Sequence, residues 1–230
     1  VSDGVLSAST NCVLTVIAGN SAPTDILLSS ATVAENLPGG TAVAALSSVD
    51  ANAGNTFTYT LVAGSGSTDN AAFQITGSQL RTNATFDFET KSSYSVRVRS
   101  TDQGGLFTEK AFTITVSNVN EAPTIAAITN QNTTAGTAVG PVSFTVGDVD
   151  TALTSLTVSG SSSNTTLLPN ANIVFGGSGA NRSVTVTPAA GQTGTTTVTV
   201  TVSDGTLSAS TNFVLTVIAG NSAPTDILLS

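Results

Sequence analysis

The side chains of this sequence that could carry out chemistry are carboxylates in the loops between predicted strands. Half of the 14 acidic residues belong to this group: Glu35, Asp87, Glu89, Glu121, Asp148, Asp150 and Asp204. The strand order of a β-sandwich brings these loops together at one junction. Two carboxylates about 4 Å apart repel each other by roughly 4 kcal/mol at an effective dielectric constant of about 20. A hard divalent cation, which takes about six to eight oxygen ligands, converts that repulsion into coordination.

Ligand chemistry favours calcium among the divalent cations. Oxygen ligands without histidine or cysteine select Ca²⁺ over zinc or copper, and Mg²⁺ would require near-ideal octahedral geometry and retained waters. The alternative is that these acids are scattered over the surface and serve only solubility.

Composition excludes several classes of function. The net charge is −8, and six basic residues cannot form the positive stripe that binds nucleic acid. Without histidine there is no Ser-His-Asp triad and no His-containing zinc site. No apolar run of about 18 residues is present, so we expect no membrane insertion. We expect neither an enzyme nor a small-molecule substrate, because metal binding explains the carboxylates better.

An internal repeat sets the domain organisation. Residues 1–29 and 202–230 are identical at 27 of 29 positions, and the exceptions are Val5/Thr206 and Cys12/Phe213. The offset of 201 residues is twice the length of about 100 residues typical of an immunoglobulin-like sandwich. We therefore predict these parts: 1–21 as the last two strands of a preceding Ig-like repeat, 22–123 and 124–221 as two domains, and 222–230 as the first strand of the next repeat. Cys12 is expected to be a small buried hydrophobic residue.

Period-two alternation predicts an all-β fold. Phe112, Ile114 and Val116 alternate with threonines, as do the residues of 198–202 and 213–217. Such alternation is typical of antiparallel strands that bury one face. Further strands are predicted at 25–30, 42–49, 57–62, 73–82, 94–101, 138–147, 153–160 and 182–188. The fold class is therefore tandem antiparallel Greek-key β-sandwiches.

Residues from about 22 to 123 resemble a cadherin repeat. The pieces that carry the resemblance stand in order: Ala34-Glu35-Asn36, Val49–Asn52, Phe57–Leu61, Phe86–Glu89, Ser100–Gly104 and the linker Asn118–Pro123. The stretch from about 124 to 221 is similar to bacterial Ig-like repeats that accompany cadherin repeats in large surface proteins. It keeps Asp148-Val149-Asp150 and Ser203-Asp204-Gly205.

The cadherin resemblance implies calcium between consecutive repeats, held by the lower end of one and the upper end of the next. Carried over, the ligands are Glu35, Asp87, Glu89, Asn118, Asn120, Glu121, Asp148, Asp150 and Asp204. The linker departs from the family pattern, since Asn118 replaces the usual aspartate and one residue is missing. The number of ions therefore stays open.

A second, weaker junction is predicted at the other end of the cadherin-like domain. Its candidate ligands are Asp50, Asn52, Asp102 and Asn20. The Ig-like domain has Thr134-Ala135-Gly136 where a lower-end glutamate would lie. This junction has two candidate carboxylates, whereas the first junction has seven, so we predict a weak or empty site here. Joints along the array would then alternate between stiff and loose.

These observations favour a calcium-rigidified structural or adhesive module of a large extracellular or cell-surface protein, of the bacterial kind. Its expected partners are neighbouring repeats of the same array and other copies of the chain. The alternative is a subunit of a self-assembling extracellular filament, held by strand exchange or lateral sheet packing. Residues 1–20 motivate that alternative, although the domain at 124–221 already has its own last two strands.

Overall fold

A computed structural model describes residues 4–5, 9–14 and 19–220. The chain divides into two compact units, Val1–Val119 and Asn120–Ser230. The strand expected at 222–230 lies outside the described residues, as does much of the segment 1–21. Residues 9–14 form no strand, and Cys12 is exposed. The expectation that Cys12 is buried is therefore wrong, because no described strand covers it.

Unit 1 contains eight strands in two four-stranded sheets. They are β1 (Asp25–Leu28), β2 (Thr32–Ala34), β3 (Ala42–Val49), β4 (Phe57–Leu61), β5 (Phe73–Thr76), β6 (Gln79–Thr82), β7 (Ser93–Asp102) and β8 (Phe107–Ser117). The strand orders are β1-β3-β6-β5 and β2-β8-β7-β4. All pairs are antiparallel except β2 with β8, which run parallel.

Unit 2 repeats this topology. Its strands are β9 (Thr124–Ile125), β10 (Gln131–Thr134), β11 (Val139–Gly147), β12 (Thr157–Ser162), β13 (Ile173–Ser178), β14 (Asn181–Val186), β15 (Gly194–Ser203) and β16 (Ser208–Ile218). The strand orders are β13-β14-β11-β9 and β10-β16-β15-β12, and β10 runs parallel to β16. The described part of the chain contains only three-residue 3-10 helices, at Asn70–Ala72 and Asn170–Asn172. None of its helices therefore has the length or apolarity needed to cross a membrane.

Each unit has its own core of alternating strand residues. In unit 1, Val96 and Val98 of β7 and Ile114 and Val116 of β8 are fully buried. In unit 2, alternate residues of β15 and β16 are likewise buried. Phe213 of β16 is a large side chain of this core and is 2 % exposed. Period two therefore places apolar residues inside and mostly polar residues, many of them threonines, outside, which confirms the all-β prediction.

The structure corrects some strand boundaries. The strand predicted at 73–82 is a hairpin, β5–β6, because Gly77 at φ 59° turns the chain. The strand predicted at 153–160 begins only at Thr157, and Leu156 reaches the core from the preceding loop, at 4 % exposed. The short strands β2, β9 and β10 and the strand β13 were not predicted.

Candidate metal centres

The first candidate centre lies in unit 1 around Glu35, which follows β2 directly. Its side chain is buried, at 2 % exposed. Oε2 accepts the backbone N–H of Phe88 at 2.7 Å, and Oε1 accepts that of Val119 at 2.7 Å. Because a buried carboxylate needs donors, these two bonds hold Glu35 against both the 86–89 loop and the end of unit 1.

Two exposed acids complete this lower set, which we define as Glu35, Asp87, Glu89 and Asn118. Asp87 accepts both the backbone N–H and the hydroxyl of Thr90, at 2.8 and 2.9 Å. Asn118 donates its amide to Glu89 Oε1 at 3.3 Å. Glu35, Asp87 and Glu89 each place one carboxylate oxygen within 4.8 Å of the others. Three carboxylates at that separation suit a cation bound by oxygen.

The second candidate centre lies in unit 2, at the ends of β11 and β15. Asp148 Oδ1 accepts the N–H groups of Asp150 and Thr151 at 2.9 and 2.8 Å. Asp150 Oδ2 accepts the N–H of Glu121 at 2.7 Å, and Asp204 Oδ2 accepts the amide of Asn120 at 2.8 Å. The segment that opens unit 2 is therefore tied to both loops. We call Asn120, Glu121, Asp148, Asp150 and Asp204 the upper set of unit 2.

Two electrostatic features mark this upper set. The amide of Asn120 and the backbone N–H groups of Thr206 and Leu207 lower the pKa of Asp204, because these donors favour its charged form. Asp148 Oδ2 is buried and has no hydrogen-bond donor among the described residues. A buried anionic oxygen without a donor carries a desolvation penalty that a cation would remove. The oxygen ligands of this upper set therefore fit a hard metal ion.

Unit 1 has an upper set of the same design, formed by Asn20, Asp50, Asn52 and Asp102. Asn20 donates its amide to Asp102 Oδ2 at 2.9 Å, as Asn120 does to Asp204. Asp50 Oδ1 accepts the N–H of Asn52 at 2.8 Å. Asp50 Oδ2, like Asp148 Oδ2, is buried without a donor among the described residues. The four residues predicted for the weaker junction are thus brought together, with Asn52 in the place of Asp150.

Among the described residues, the lower end of unit 2 has an alanine at the position that corresponds to Glu35. The N–H of Ala135 donates to Ile218 O at 3.0 Å, as the N–H of Glu35 donates to Ser117 O at 3.2 Å. Ala135 therefore occupies the position of Glu35 and offers no carboxylate. This matches the sequence reading that Thr134-Ala135-Gly136 replaces a lower-end acid.

Sequence reasoning named the ligand candidates but missed what holds them in place. It named Asn20 and Asn120 as ligand candidates but did not predict that each directs its amide nitrogen at an aspartate. Both asparagines start an Asn-x-Ala-Pro sequence, which ends at Pro23 and Pro123. That shared spacing was the available signal, because it places each asparagine three residues before the proline that precedes its unit's first strand.

Comparisons with known proteins agree with this architecture. Residues 120–217 match the family model described as a bacterial Ig domain. No curated protein matches the chain. Among solved structures, protocadherin gamma B2 extracellular cadherin domains 1–5 align with 18% identity and a TM-score of 0.51, over 85% of this chain and 39% of that chain. Domains 3–6 of the same protein align with 19% identity and a TM-score of 0.51, over 84% and 47%.

A third structure gives the same result. The PcdhgB3 EC1-4 fragment aligns with 22% identity and a TM-score of 0.51, over 88% of this chain and 51% of that chain. This chain thus spans from two fifths to one half of the cadherin fragments that it matches. By fold, the chain combines a cadherin-like sandwich with a second sandwich that matches the bacterial Ig domain family.

Proposed function

We propose that this chain is a calcium-rigidified structural or adhesive module of an extracellular surface protein, with calcium bound at the junction of its two units. One observation carries the proposal. Asp148 Oδ2 is a buried carboxylate oxygen without a donor among the described residues, in a set that offers only oxygen ligands. A divalent cation supplies the positive charge that this oxygen lacks.

The residues that would hold calcium are those of the lower set of unit 1 and the upper set of unit 2. They are Glu35, Asp87, Glu89, Asn118, Asn120, Glu121, Asp148, Asp150 and Asp204. The chain has no histidine, and its one cysteine, Cys12, is far from these positions in sequence. Carboxylate and amide oxygens in this number suit calcium, which tolerates irregular coordination better than magnesium does.

Sequence continuity supports a shared site at the junction. Asn118 of the lower set and Asn120 of the upper set are separated by Val119 alone. Ligands from both sets would therefore reach one ion group through a linker too short to act as a flexible spacer. Calcium bound there would restrict the angle between the units.

The energetic benefit follows from mass action. An ion that binds the folded chain and not the unfolded one stabilises by RT ln(1 + [L]/Kd). At about 1 mM calcium and a Kd of about 0.1 mM, in the range of extracellular modules, the gain is about 1.4 kcal/mol per ion. Such a site is useful outside cells, where calcium is abundant, which is the location that we propose.

The upper set of unit 1 is proposed as a second, weaker site. It has two carboxylates, Asp50 and Asp102, against four in the corresponding set of unit 2. Ala135 supplies no carboxylate at the lower end of unit 2. A junction between unit 2 and a further repeat would therefore lack the residue that corresponds to Glu35. An array of such units would alternate stiff and looser joints, and its partners would be neighbouring repeats and other copies of the chain.

Calorimetric titration of the whole chain with calcium tests the proposal. We expect binding with a Kd at or below about 1 mM, and a large loss of affinity in the Asp148→Asn variant. Asp25→Asn is the matched control, because Asp25 lies on the surface of unit 1 and pairs with Lys110 at 2.7 Å. Absence of calcium binding to the wild-type chain, or equal affinity in both variants, would overturn the proposal.

A further inference from the structure

The side-chain amide of Asn52 fixes the segment that leads into unit 1, residues 19–21, which we call the entry segment. Asn52 Oδ1 accepts the backbone N–H of Ser21 at 2.8 Å and the Ser21 hydroxyl at 2.6 Å. Asn52 Nδ2 donates to the carbonyl oxygen of Gly19 at 3.0 Å. A backbone N–H only donates and a carbonyl oxygen only accepts, so these partners determine the orientation of the amide. Asn52 therefore uses both ends of its amide to hold one stretch of backbone.

Unit 2 makes the first of these bonds with a carboxylate. Asp150 Oδ2 accepts the backbone N–H of Glu121 at 2.7 Å, as Asn52 accepts that of Ser21. The side chains of Ser21 and Asn52 are both neutral, and a hydroxyl and an amide satisfy each other. Those of Glu121 and Asp150 are both acidic. Two carboxylates at these positions favour a cation nearby.

The Nδ2 group of Asn52 does what a cation would otherwise do between two oxygens. An aspartate in the same conformation would place a carboxylate oxygen 3.0 Å from the Gly19 carbonyl oxygen, with no hydrogen between the two acceptors. Carboxylate and carbonyl oxygens are both calcium ligands, so an ion between them would relieve that repulsion. The amide of Asn52 joins the same two positions without an ion.

Neutral donors also satisfy the other carboxylate that faces the entry segment. Asn20 donates its amide to Asp102 Oδ2 at 2.9 Å, and two backbone N–H groups donate to Asp102 Oδ1 at 2.8 and 2.9 Å. In the upper set of unit 1, Asp50 Oδ2 is the buried oxygen without a donor among the described residues. The bonds that hold the entry segment do not use that oxygen.

We propose that Asn52 holds the entry segment on unit 1 without calcium, and that residue 52 determines whether this attachment depends on calcium. One neutral amide supplies both a donor and an acceptor, whereas aspartate supplies acceptors only and needs an ion beside the Gly19 carbonyl. Asn52 is therefore a positioning residue for the entry segment and a specificity-determining residue for metal dependence. The second part of this inference rests on the proposed function, and the first part does not.

NMR relaxation of the Asn20 backbone amide in the whole chain tests both parts. This N–H shares a rigid peptide plane with the Gly19 carbonyl, so its order parameter reports whether Asn52 holds that carbonyl. In the wild type we expect about 0.85 in a chelator and the same in about 10 mM calcium. Asn52→Ala should fall below about 0.6 in both conditions. Asn52→Asp should fall below about 0.6 in the chelator and return towards the wild-type value in calcium.

Asn83→Asp is the matched control. It makes the same change of charge, and the amide of Asn83 likewise donates to a backbone carbonyl, that of Ala71 at 3.2 Å. This variant should leave the Asn20 order parameter at the wild-type value in both conditions. Slow hydrogen exchange of the β7 amides in every variant shows that unit 1 is folded, so a change at Asn20 is then local.

Three results would overturn the inference or a part of it. A flexible Asn20 amide in the chelated wild type would overturn the whole, as would an Asn52→Asp variant as ordered in chelator as the wild type. An Asn52→Asp variant that stays flexible in calcium would overturn the second part. Absence of calcium binding to the wild-type chain would overturn the proposed function, and the order of Asn20 in chelator would still support the first part.

Discussion

Replacing Glu35 by glutamine tests how the lower set is built, before any ion is considered. Glu35 is 2 % exposed and accepts two backbone N–H groups, from Phe88 and Val119, each at 2.7 Å. Glutamine keeps one acceptor oxygen and presents an NH₂ group to the other N–H. One buried donor therefore loses its partner and faces a second donor.

The magnitude follows from the bond that is lost. A hydrogen bond to a charged group contributes about 1.5–3 kcal/mol, and the orphaned N–H adds a desolvation penalty. We therefore expect Glu35→Gln to destabilise unit 1 by about 2–3 kcal/mol. For a unit of roughly 100 residues this corresponds to a fall in Tm of about 10–20 °C.

Differential scanning calorimetry in the presence of a chelator measures this effect without a contribution from bound metal. Glu89→Gln is the matched control, because Glu89 is an exposed carboxylate of the same set, and surface substitutions usually stay within about 0.5 kcal/mol. We expect one transition of the Glu35→Gln variant to fall strongly while that of Glu89→Gln stays near the wild type. Equal, small shifts in both variants would refute the assignment of Glu35 as a buried structural carboxylate.

The remaining predictions concern the upper set of unit 2 and the response to acid. Asp148→Asn should weaken calcium binding by about 10–100-fold, measured by titration calorimetry, and unchanged affinity would contradict its role. Asn120→Ala should raise the pKa of Asp204 towards its ordinary value, since the Asn120 amide is the main cause of its lowering, and an NMR titration of the carboxyl carbon measures this. The side chain of Lys91 lowers the pKa of Asp69. The stabilisation of the folded chain by this pair should therefore be fully present above pH 3.8, the ordinary pKa, and be lost as the pH falls through the lowered pKa of the folded state. Urea denaturation at neutral pH and in acid, with Asp69→Asn for comparison, should show that the variant's deficit disappears in acid.

Strand content was predictable wherever one face of a strand is buried along its length. In β15, valines alternate with threonines, and in β16 the buried Phe213, Leu215 and Val217 stand at every second position, because those strands pack one face on the core. The short strands β9 and β10 could not be predicted in this way. A strand of two to four residues shows no period, and it forms because a neighbouring strand offers its unpaired backbone groups.

The candidate centres were predictable in membership and less so in geometry. Motif order identified Asp148, Asp150 and Asp204, and the structure places all three in one hydrogen-bonded set with Asn120 and Glu121. Which oxygen of Asp148 remains without a donor depends on how the turn directs two N–H groups at Oδ1. The backbone geometry at the end of β11 determines which oxygen this is, and the residue types alone do not reveal it.

The expectation that Cys12 is buried, which is wrong, shows a different limit of sequence reasoning. Parity with Phe213 predicted that Cys12, Leu14 and Val16 share one face of a strand. The pattern alone does not supply the strands on either side, and in the described chain residues 9–14 have none. A period-two pattern thus predicts which side chains would share a face and leaves open whether a partner covers them.

Thermal unfolding of the whole chain with calcium and with a chelator tests the central claim most directly. About 1 mM calcium should raise the Tm by about 5–10 °C relative to the chelated protein, and equal magnesium should raise it much less. A Tm that is the same in calcium and in chelator would contradict the account of these carboxylates as calcium ligands.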